Sequence, residues 1–118
     1  MASEMVVPEL RMGIRYEIPQ GNGGEQAAVR DGILRRLGSV GVVVQDDSPP
    51  MVGERLTFLL DTPDGRIRFG GQVIVRLRGP GGGPWGFGAQ IADVDASTSA
   101  RLLAVRLTAS TSASDRLQ

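Results

Sequence analysis

The stretch from Gly65 to Arg78 alternates apolar and polar side chains along most of its length. The apolar residues fall on odd positions, at Ile67, Phe69, Val73, Val75 and Leu77. The even positions carry Arg66, Arg68, Gln72, Arg76 and Arg78, with Ile74 as the exception. A period of two predicts a long strand with one buried and one solvated face. The pair Gly70-Gly71 in its middle predicts a bend or bulge of the kind that wraps such a strand around a barrel.

Five other segments have the character of strands. They span residues 11–18, about 27–37, 42–45, 55–60 and 85–92. Turn residues separate these segments, and Asp61-Thr-Pro-Asp-Gly65 has the chemistry of a tight hairpin. Short strands joined by such turns predict a mainly β fold, a six-stranded antiparallel barrel.

The period changes after the sixth strand. Leu103 and Leu107 lie four residues apart on one side of a helix, which predicts a C-terminal α-helix of about ten residues over 97–107. Asp95 or Ser97 can cap its start, since short polar side chains accept the first free backbone N–H groups. By default this leucine side packs on the barrel, and the alternative is a partner.

Composition divides the chain into three parts. Residues 1–9 are expected to be a flexible leader, and residues 10–108 form one domain. The segment 109–118 is rich in Ser and Thr and has little to bury, which predicts a disordered tail. The N-terminus lacks the charged and apolar regions of a signal peptide, and apolar runs are short, so we expect a cytoplasmic protein without membrane insertion.

The chain has no cysteine and no histidine. Thiol catalysis, disulfides and cysteine-based metal sites are therefore excluded, and the commonest general base is absent. The acidic residues Asp46, Asp47, Asp93 and Asp95 fall in loops, where they are interpreted as solvated turn residues or caps. We predict a protein that is not an enzyme and has neither a metal nor a cofactor.

The 13 basic residues, all arginine, balance 13 acidic ones. A net charge of zero argues against non-specific binding to a nucleic-acid polymer. The chain is therefore expected to act through a protein partner.

Five segments, taken in order, resemble conserved segments of PilZ domains. The family's sequence motifs are DLSxGGxxV, VGERVxL, xxGxVVW, YGVxF and an LxxLL helix. In the same order, they match residues 33–44, 52–58, 70–75, 86–90 and about 97–107. The resemblance covers roughly residues 10–108. It implies a six-stranded barrel with a C-terminal helix, in agreement with the strand pattern.

The resemblance also implies a ligand, because typical PilZ domains bind cyclic di-GMP through an RxxxR motif and a [D/N]xSxxG motif. The second motif falls on Arg36-Leu-Gly38-Ser-Val-Gly41, where only the last glycine matches. Arg36 replaces the acceptor that would receive the guanine N–H groups, and a guanidinium has donors only. Gly38 replaces the serine and brings no side chain.

Two alignments of the first motif stay open. Arg11-Met-Gly-Ile-Arg15 is a literal RxxxR. If Ile14-Arg15-Tyr16 instead matches the VRY of the family's first strand, the motif falls near Glu4 and Pro8 and both arginines are missing. In that case Arg11 and Arg15 are solvated strand residues.

The resemblance therefore implies two functions. The first is a regulatory adaptor with a degenerate motif, which acts by protein contact in motility, type IV pilus function or cell polarity and does not bind cyclic di-GMP. The second is a cyclic di-GMP receptor that uses Arg11, Arg15 and Arg36 in a non-standard site, since guanidinium groups bind phosphate well.

Two surface features are candidates for contact with a partner. Arg66, Arg68, Arg76 and Arg78 form a basic row, which is either an interaction surface or a solvated strand face. Trp85 is either an interface anchor or, by its parity with Phe87 and Ile91, a core residue.

Overall fold

The computed structural model describes residues 10–19 and 28–116, with side chains up to Thr108. The leader expected over 1–9 lies outside the described residues. The elements in chain order are β1 (Met12–Ile18), β2 (Ala28–Leu37), β3 (Gly41–Gln45), β4 (Arg55–Thr62), β5 (Gly65–Arg78), a short 3-10 turn (Pro80–Gly82), β6 (Pro84–Ala92) and α1 (Ala96–Arg116).

The six described strands form a closed antiparallel barrel in the order β1-β2-β3-β6-β5-β4. This confirms the predicted fold class, a mainly β barrel with one C-terminal helix. The hairpin between β4 and β5 lies at the predicted turn, where the Thr62 hydroxyl accepts the Asp64 N–H at 3.2 Å and donates to the Gly65 carbonyl at 2.7 Å. Gly65 has a φ of 122°, a conformation that favours glycine.

The barrel interior is filled by apolar side chains around an aromatic cluster. Tyr16, Phe58, Phe69 and Phe87 pack with ring centroids 5.1–6.4 Å apart. Gly71 makes room for this cluster, because a Cβ atom there would lie 2.8 Å from the Phe58 ring and 3.0 Å from the Gln90 carbonyl oxygen. The glycine is therefore explained by close packing inside the barrel.

The bulge in β5 lies beyond the glycine pair that was predicted to hold it. The register with β6 shifts between Val73 and Val75, so one extra residue is inserted. Ile67, Phe69 and Val73 are buried as predicted, whereas Val75 is 42% exposed and Ile74 is 57% exposed. The predicted burial of Val75 was wrong, because the extra residue reverses the parity of the strand that follows.

Helix α1 begins at a cap that the sequence predicted. The Asp95 carboxylate accepts the Thr98 N–H at 2.7 Å, and this hydrogen bond lowers the pKa of Asp95. The helix ends at Arg116, past the predicted end at 107.

The predicted packing face of α1 was also wrong. Leu102 is only 5% exposed and contacts the barrel core, whereas Leu103 and Leu107 are exposed. Val105 is half-buried against the same core. The packing residues, Leu102 and Val105, are thus three apart and lie on the helix face next to the one that carries Leu103 and Leu107.

Candidate functional site

One end of the barrel, where β2 turns into β3 beneath α1, holds most of the predicted ligand residues. We call it the helix end. The Gly38 N–H donates to the Gly41 carbonyl at 2.8 Å and closes the turn. The Leu10 N–H donates to the Arg35 carbonyl at 2.7 Å, which places the segment before β1 beside the end of β2.

The predicted ligand residues do not all gather there. Arg11 and Arg36 are exposed at the helix end, close to Gly38 and Gly41. Arg15 pairs with Asp31 of β2 in the strand register, and its Nε lies 3.1 Å from that carboxylate. Four residues along a strand span about 13 Å, so Arg15 lies well along the outer wall from Arg11.

The two glycines of the second motif differ in their surroundings. A Cβ atom at Gly41 would lie 2.9 Å from the Ala89 carbonyl oxygen of β6, which is closer than packing allows. A Cβ atom at Gly38 would lie 3.5 Å from its nearest neighbour, the Gly41 carbonyl oxygen, an ordinary contact. The fold therefore requires glycine at 41 with or without a ligand, but it would admit a serine at 38.

A shallow cleft opens between the β2–β3 turn and α1. It is lined by Gly38, Ser39, Ile91, Val94, Ser99, Leu102, Leu103 and Arg106. The lining is mostly hydrocarbon, and Val40 at the turn is 70% exposed. The Nε of Arg106 is buried and has no hydrogen-bond partner in the described part of the chain.

A buried polar cluster that sequence reasoning missed lies at the opposite end. The Tyr16 hydroxyl donates to Asp46 Oδ2, the Ser48 N–H donates to Asp46 Oδ1 at 2.8 Å, and an Arg30 nitrogen lies 3.6 Å from Asp46 Oδ1. Burial raises the pKa of Tyr16, and the hydrogen bond to Asp46 raises it further.

Asp46 was predicted to be a solvated turn residue, and this was wrong because Asp46 is 8% exposed. One signal could have found it. Tyr16 falls on the apolar face of the first strand, and a buried tyrosine hydroxyl usually has a hydrogen-bond partner.

The predicted basic row is divided by the bulge. Arg66 is bonded to Asp61, with Nε 2.7 Å from Oδ1, and this contact lowers the pKa of Asp61. Arg68 lies in register with Leu59. Beyond the bulge, Arg76 lies opposite the buried Phe87 in register, and its Nη2 donates to the Pro49 carbonyl at 3.3 Å. Arg78 is exposed at the end of β5.

Trp85 is half-buried and does not join the aromatic cluster. The β5–β6 register shifts beside it, between Leu77 and Arg78, so its parity with Phe87 no longer holds. The guanidinium carbon of Arg35 lies 5.8 Å from the centroid of the Trp85 ring, a cation–π contact. Arg35 also donates to Gln45 Oε1 at 2.7 Å.

The described residues lack both a metal-binding cluster and a membrane-spanning helix. They contain no group of three or more acidic, His or Cys residues that could hold a metal ion. No helix within them has the length and apolar character needed to cross a membrane.

The fold defined by this barrel and helix is PilZ-like. It matches the solved structure of the Bacillus subtilis inhibitor of motility, MotI/DgrA, with a TM-score of 0.64 at 12% sequence identity. The match covers 95% of this chain and 53% of that protein, so the chain spans about half the length of its structural neighbour. No protein-family model matches the sequence, and no curated protein matches it.

Proposed function

We propose that this chain is a member of the PilZ family and a non-catalytic, cytoplasmic adaptor that regulates bacterial motility by binding another protein. In this proposal it does not use cyclic di-GMP as a ligand. The process that it regulates is motility, type IV pilus function or cell polarity. The observation that carries the proposal is the chemistry of the β2–β3 turn, which falls at the sequence position of the family's [D/N]xSxxG motif and lacks the acceptor and hydroxyl groups of that motif.

The turn supports this proposal residue by residue. Arg36 offers only donors where guanine also presents donors, and Gly38 offers no side chain. The presence of glycine at position 41 is explained by the nearby Ala89 carbonyl oxygen, without any need for a ligand. Each lost hydrogen bond to a buried ligand group costs about 1–3 kcal/mol, so two such losses lower affinity by orders of magnitude.

The structural neighbour supports the motility part. MotI/DgrA is an inhibitor of motility, and its fold is shared over nearly the whole of this chain. The likeness concerns the fold, so the output is tested separately. Deletion of this chain in its own host is expected to change swarming or twitching, and restoring the wild-type chain is expected to reverse the change.

The ligand part is tested by calorimetric titration with cyclic di-GMP up to about 100 µM. We expect no saturable heat from the wild-type chain. The variant Arg36→Asp/Gly38→Ser restores the acceptor and the hydroxyl at positions with room for both, and we expect it to gain measurable binding. Saturable binding by the wild-type chain would overturn the proposal.

The second candidate function is the cyclic di-GMP receptor with a non-standard site. The position of Arg11 beside the end of β2, near Arg36, is the observation that favours it. If the wild-type chain binds, Arg11→Ala and Arg36→Ala should each weaken binding. Arg15→Ala should weaken it only if the Arg15–Asp31 ion pair opens to release the guanidinium.

A further inference from the structure

The bulge in β5 and the loop before β4 form an exposed apolar surface. Met51, Val52, Ile74 and Val75 are each between 42% and 59% exposed. We call these four residues the bulge patch. Scattered apolar residues are normal on a surface, but contiguous groups mark sites of interaction.

Backbone hydrogen bonds hold the two halves of the patch together. The Gly53 N–H donates to the Val73 carbonyl at 2.8 Å, and the Val73 N–H donates to the Glu54 carbonyl at 2.9 Å. Gln72 Nε2 donates to the Gly53 carbonyl at 3.3 Å. These bonds join Gly53 and Glu54 to Val73, so the loop that holds Met51 and Val52 runs beside the part of β5 that holds Ile74 and Val75.

The loop half of the patch is a tight turn. The Glu54 N–H donates to the Met51 carbonyl at 3.1 Å, and Gly53 has a φ of 96°. This geometry places Val52 at the tip of a turn, where polar residues, Gly and Pro are usual. The preceding prolines, Pro49 and Pro50, are buried. The apolar side chains are therefore presented on a fixed backbone, which lowers the entropy lost when a partner binds.

The buried polar cluster fixes the start of the same loop. Asp46 is held by Tyr16, Arg30 and Ser48, and its N–H donates to the Trp85 carbonyl at 2.9 Å. The loop is thus anchored at Asp46 by side chains and at Gly53 and Glu54 by the strand. Burying the Asp46 carboxylate costs free energy, and its hydrogen bonds fix the loop that carries the exposed residues Met51 and Val52.

The charged residues beside the patch are mostly basic, because Arg76 and Arg78 follow the bulge and Glu54 is the acidic residue of the loop half. Arg76 and Arg78 follow the bulge directly, and among the described residues neither has a carboxylate within ion-pair distance. Two guanidinium groups without a carboxylate partner favour a ligand that brings carboxylates.

We propose that the bulge patch binds an amphipathic segment of a partner protein, whose apolar side chains cover Met51, Val52, Ile74 and Val75 while its acidic side chains pair with Arg76 and Arg78. This inference rests on the proposed function, because it names the surface and the chemistry of the protein contact. The cyclic di-GMP titration tests the adaptor role separately, so failure of one does not imply failure of the other.

The test uses a synthetic amphipathic helical peptide with leucines on one face and flanking glutamates. Its control is the same peptide with lysines in place of the glutamates. Each is titrated into the ¹⁵N-labelled full chain up to about 1 mM and followed by two-dimensional NMR. We expect the glutamate peptide to shift the amide signals of residues 51–54 and 73–78, and the lysine peptide to bind at least about tenfold more weakly.

Three variants make the test specific. Ile74→Thr and Val52→Ser are expected to weaken binding of the glutamate peptide about tenfold, since central apolar anchors dominate such contacts. Val29→Ser is the matched control, because Val29 is 55% exposed on another strand, and it should bind as the wild type does. Loss of binding in that control would overturn the inference.

Three other results would also overturn it. The first is equal binding of the two peptides, and the second is a set of shifts centred on α1 or on the β2–β3 turn. The third is an absence of binding at the highest concentration. Sedimentation of the free chain provides a further check, because a dimer that Ile74→Thr dissociates would make a second copy the occupant.

Discussion

The hydroxyl of Tyr16 donates a hydrogen bond to the carboxylate of Asp46, thirty residues further along the chain. Both side chains are buried, and together they join β1 to the loop that follows β3. A buried carboxylate has lost its hydrating water, and hydrogen-bond donors such as this hydroxyl replace it. The contact therefore sets both the stability of the barrel end and the position of the loop.

The first prediction is that Tyr16→Phe destabilises the chain by about 1–3 kcal/mol, since the Asp46 carboxylate loses a donor that water cannot easily replace. Urea denaturation followed by circular dichroism measures this change in the free energy of unfolding. Arg15→Ala, which removes an exposed ion pair on the same strand, is the control and should change it by less than about 1 kcal/mol. An equal loss in both variants would contradict the role of the buried contact.

The second prediction concerns alkaline pH. The pKa of Tyr16 is raised in the folded chain, first by burial and then by its bond to Asp46. Folding therefore favours the neutral phenol. The contribution of this phenol to the free energy of unfolding is complete below the ordinary tyrosine pKa of about 10, and it is lost as the pH rises through the pKa of the folded state. The urea midpoint of the wild type should fall between about pH 8 and pH 11 by more than that of Tyr16→Phe. An equal decrease of the urea midpoint in both proteins would show that Tyr16 is not responsible for the pH dependence.

The third prediction separates two glycines by the space around them. Gly41→Ala should cost about 1–3 kcal/mol of stability, because its methyl group would lie 2.9 Å from the Ala89 carbonyl oxygen. Gly13→Ala is the matched strand variant, since no atom lies within 4 Å of its added methyl group, and it should be neutral or slightly stabilising. Thermal unfolding of the two variants compares them directly, and similar melting temperatures would count against the close approach.

The fourth prediction tests how α1 is attached. Leu102→Ala should destabilise the domain by about 2–5 kcal/mol, as expected for a buried leucine. Leu103→Ala, at the neighbouring exposed position, should cost much less. Chemical denaturation gives both values, and limited proteolysis reports whether α1 leaves the barrel. A larger effect at Leu103 would restore the packing face that the sequence predicted.

The fifth prediction concerns acid. The pKa of Asp95 is lowered by the Thr98 N–H and hydroxyl, so its capping contribution is present above the ordinary pKa of about 3.9 and is lost as pH falls through the folded value. The helical signal in circular dichroism should decrease as the pH is lowered below about 4 in the wild type. Asp95→Asn keeps a neutral cap and should lose less signal over the same range. An identical loss would mean that another group is responsible.

The strands could be predicted because one face of each is buried and the side chains alternate accordingly. The alternation of Ile67, Phe69 and Val73 was enough to locate the inner face of β5. The bulge after Val73 was not predicted. Ile74 interrupts the alternation there, but the Gly70-Gly71 pair was interpreted as the place for a bulge. Val75 was therefore assigned to the buried face.

The site was predicted less well than the fold. The β2–β3 turn, with Gly38 and Gly41, was located from its resemblance to a known motif. Asp46 was missed because its burial depends on Tyr16 and Arg30, which are distant in sequence, and a pattern of neighbours carries no information on such contacts. The helix face was missed because Leu102 and Leu103 are chemically identical, and only the phase set by the Asp95 cap distinguishes them.

The closed order of the barrel has a consequence for recognition. Each of the six described strands has a hydrogen-bonded neighbour on both sides over part of its length, so the barrel has no edge strand along which a partner could add a whole strand. Discrimination between partners therefore depends on side chains, and point substitutions on the outer surface can change which protein is bound while leaving the backbone framework intact.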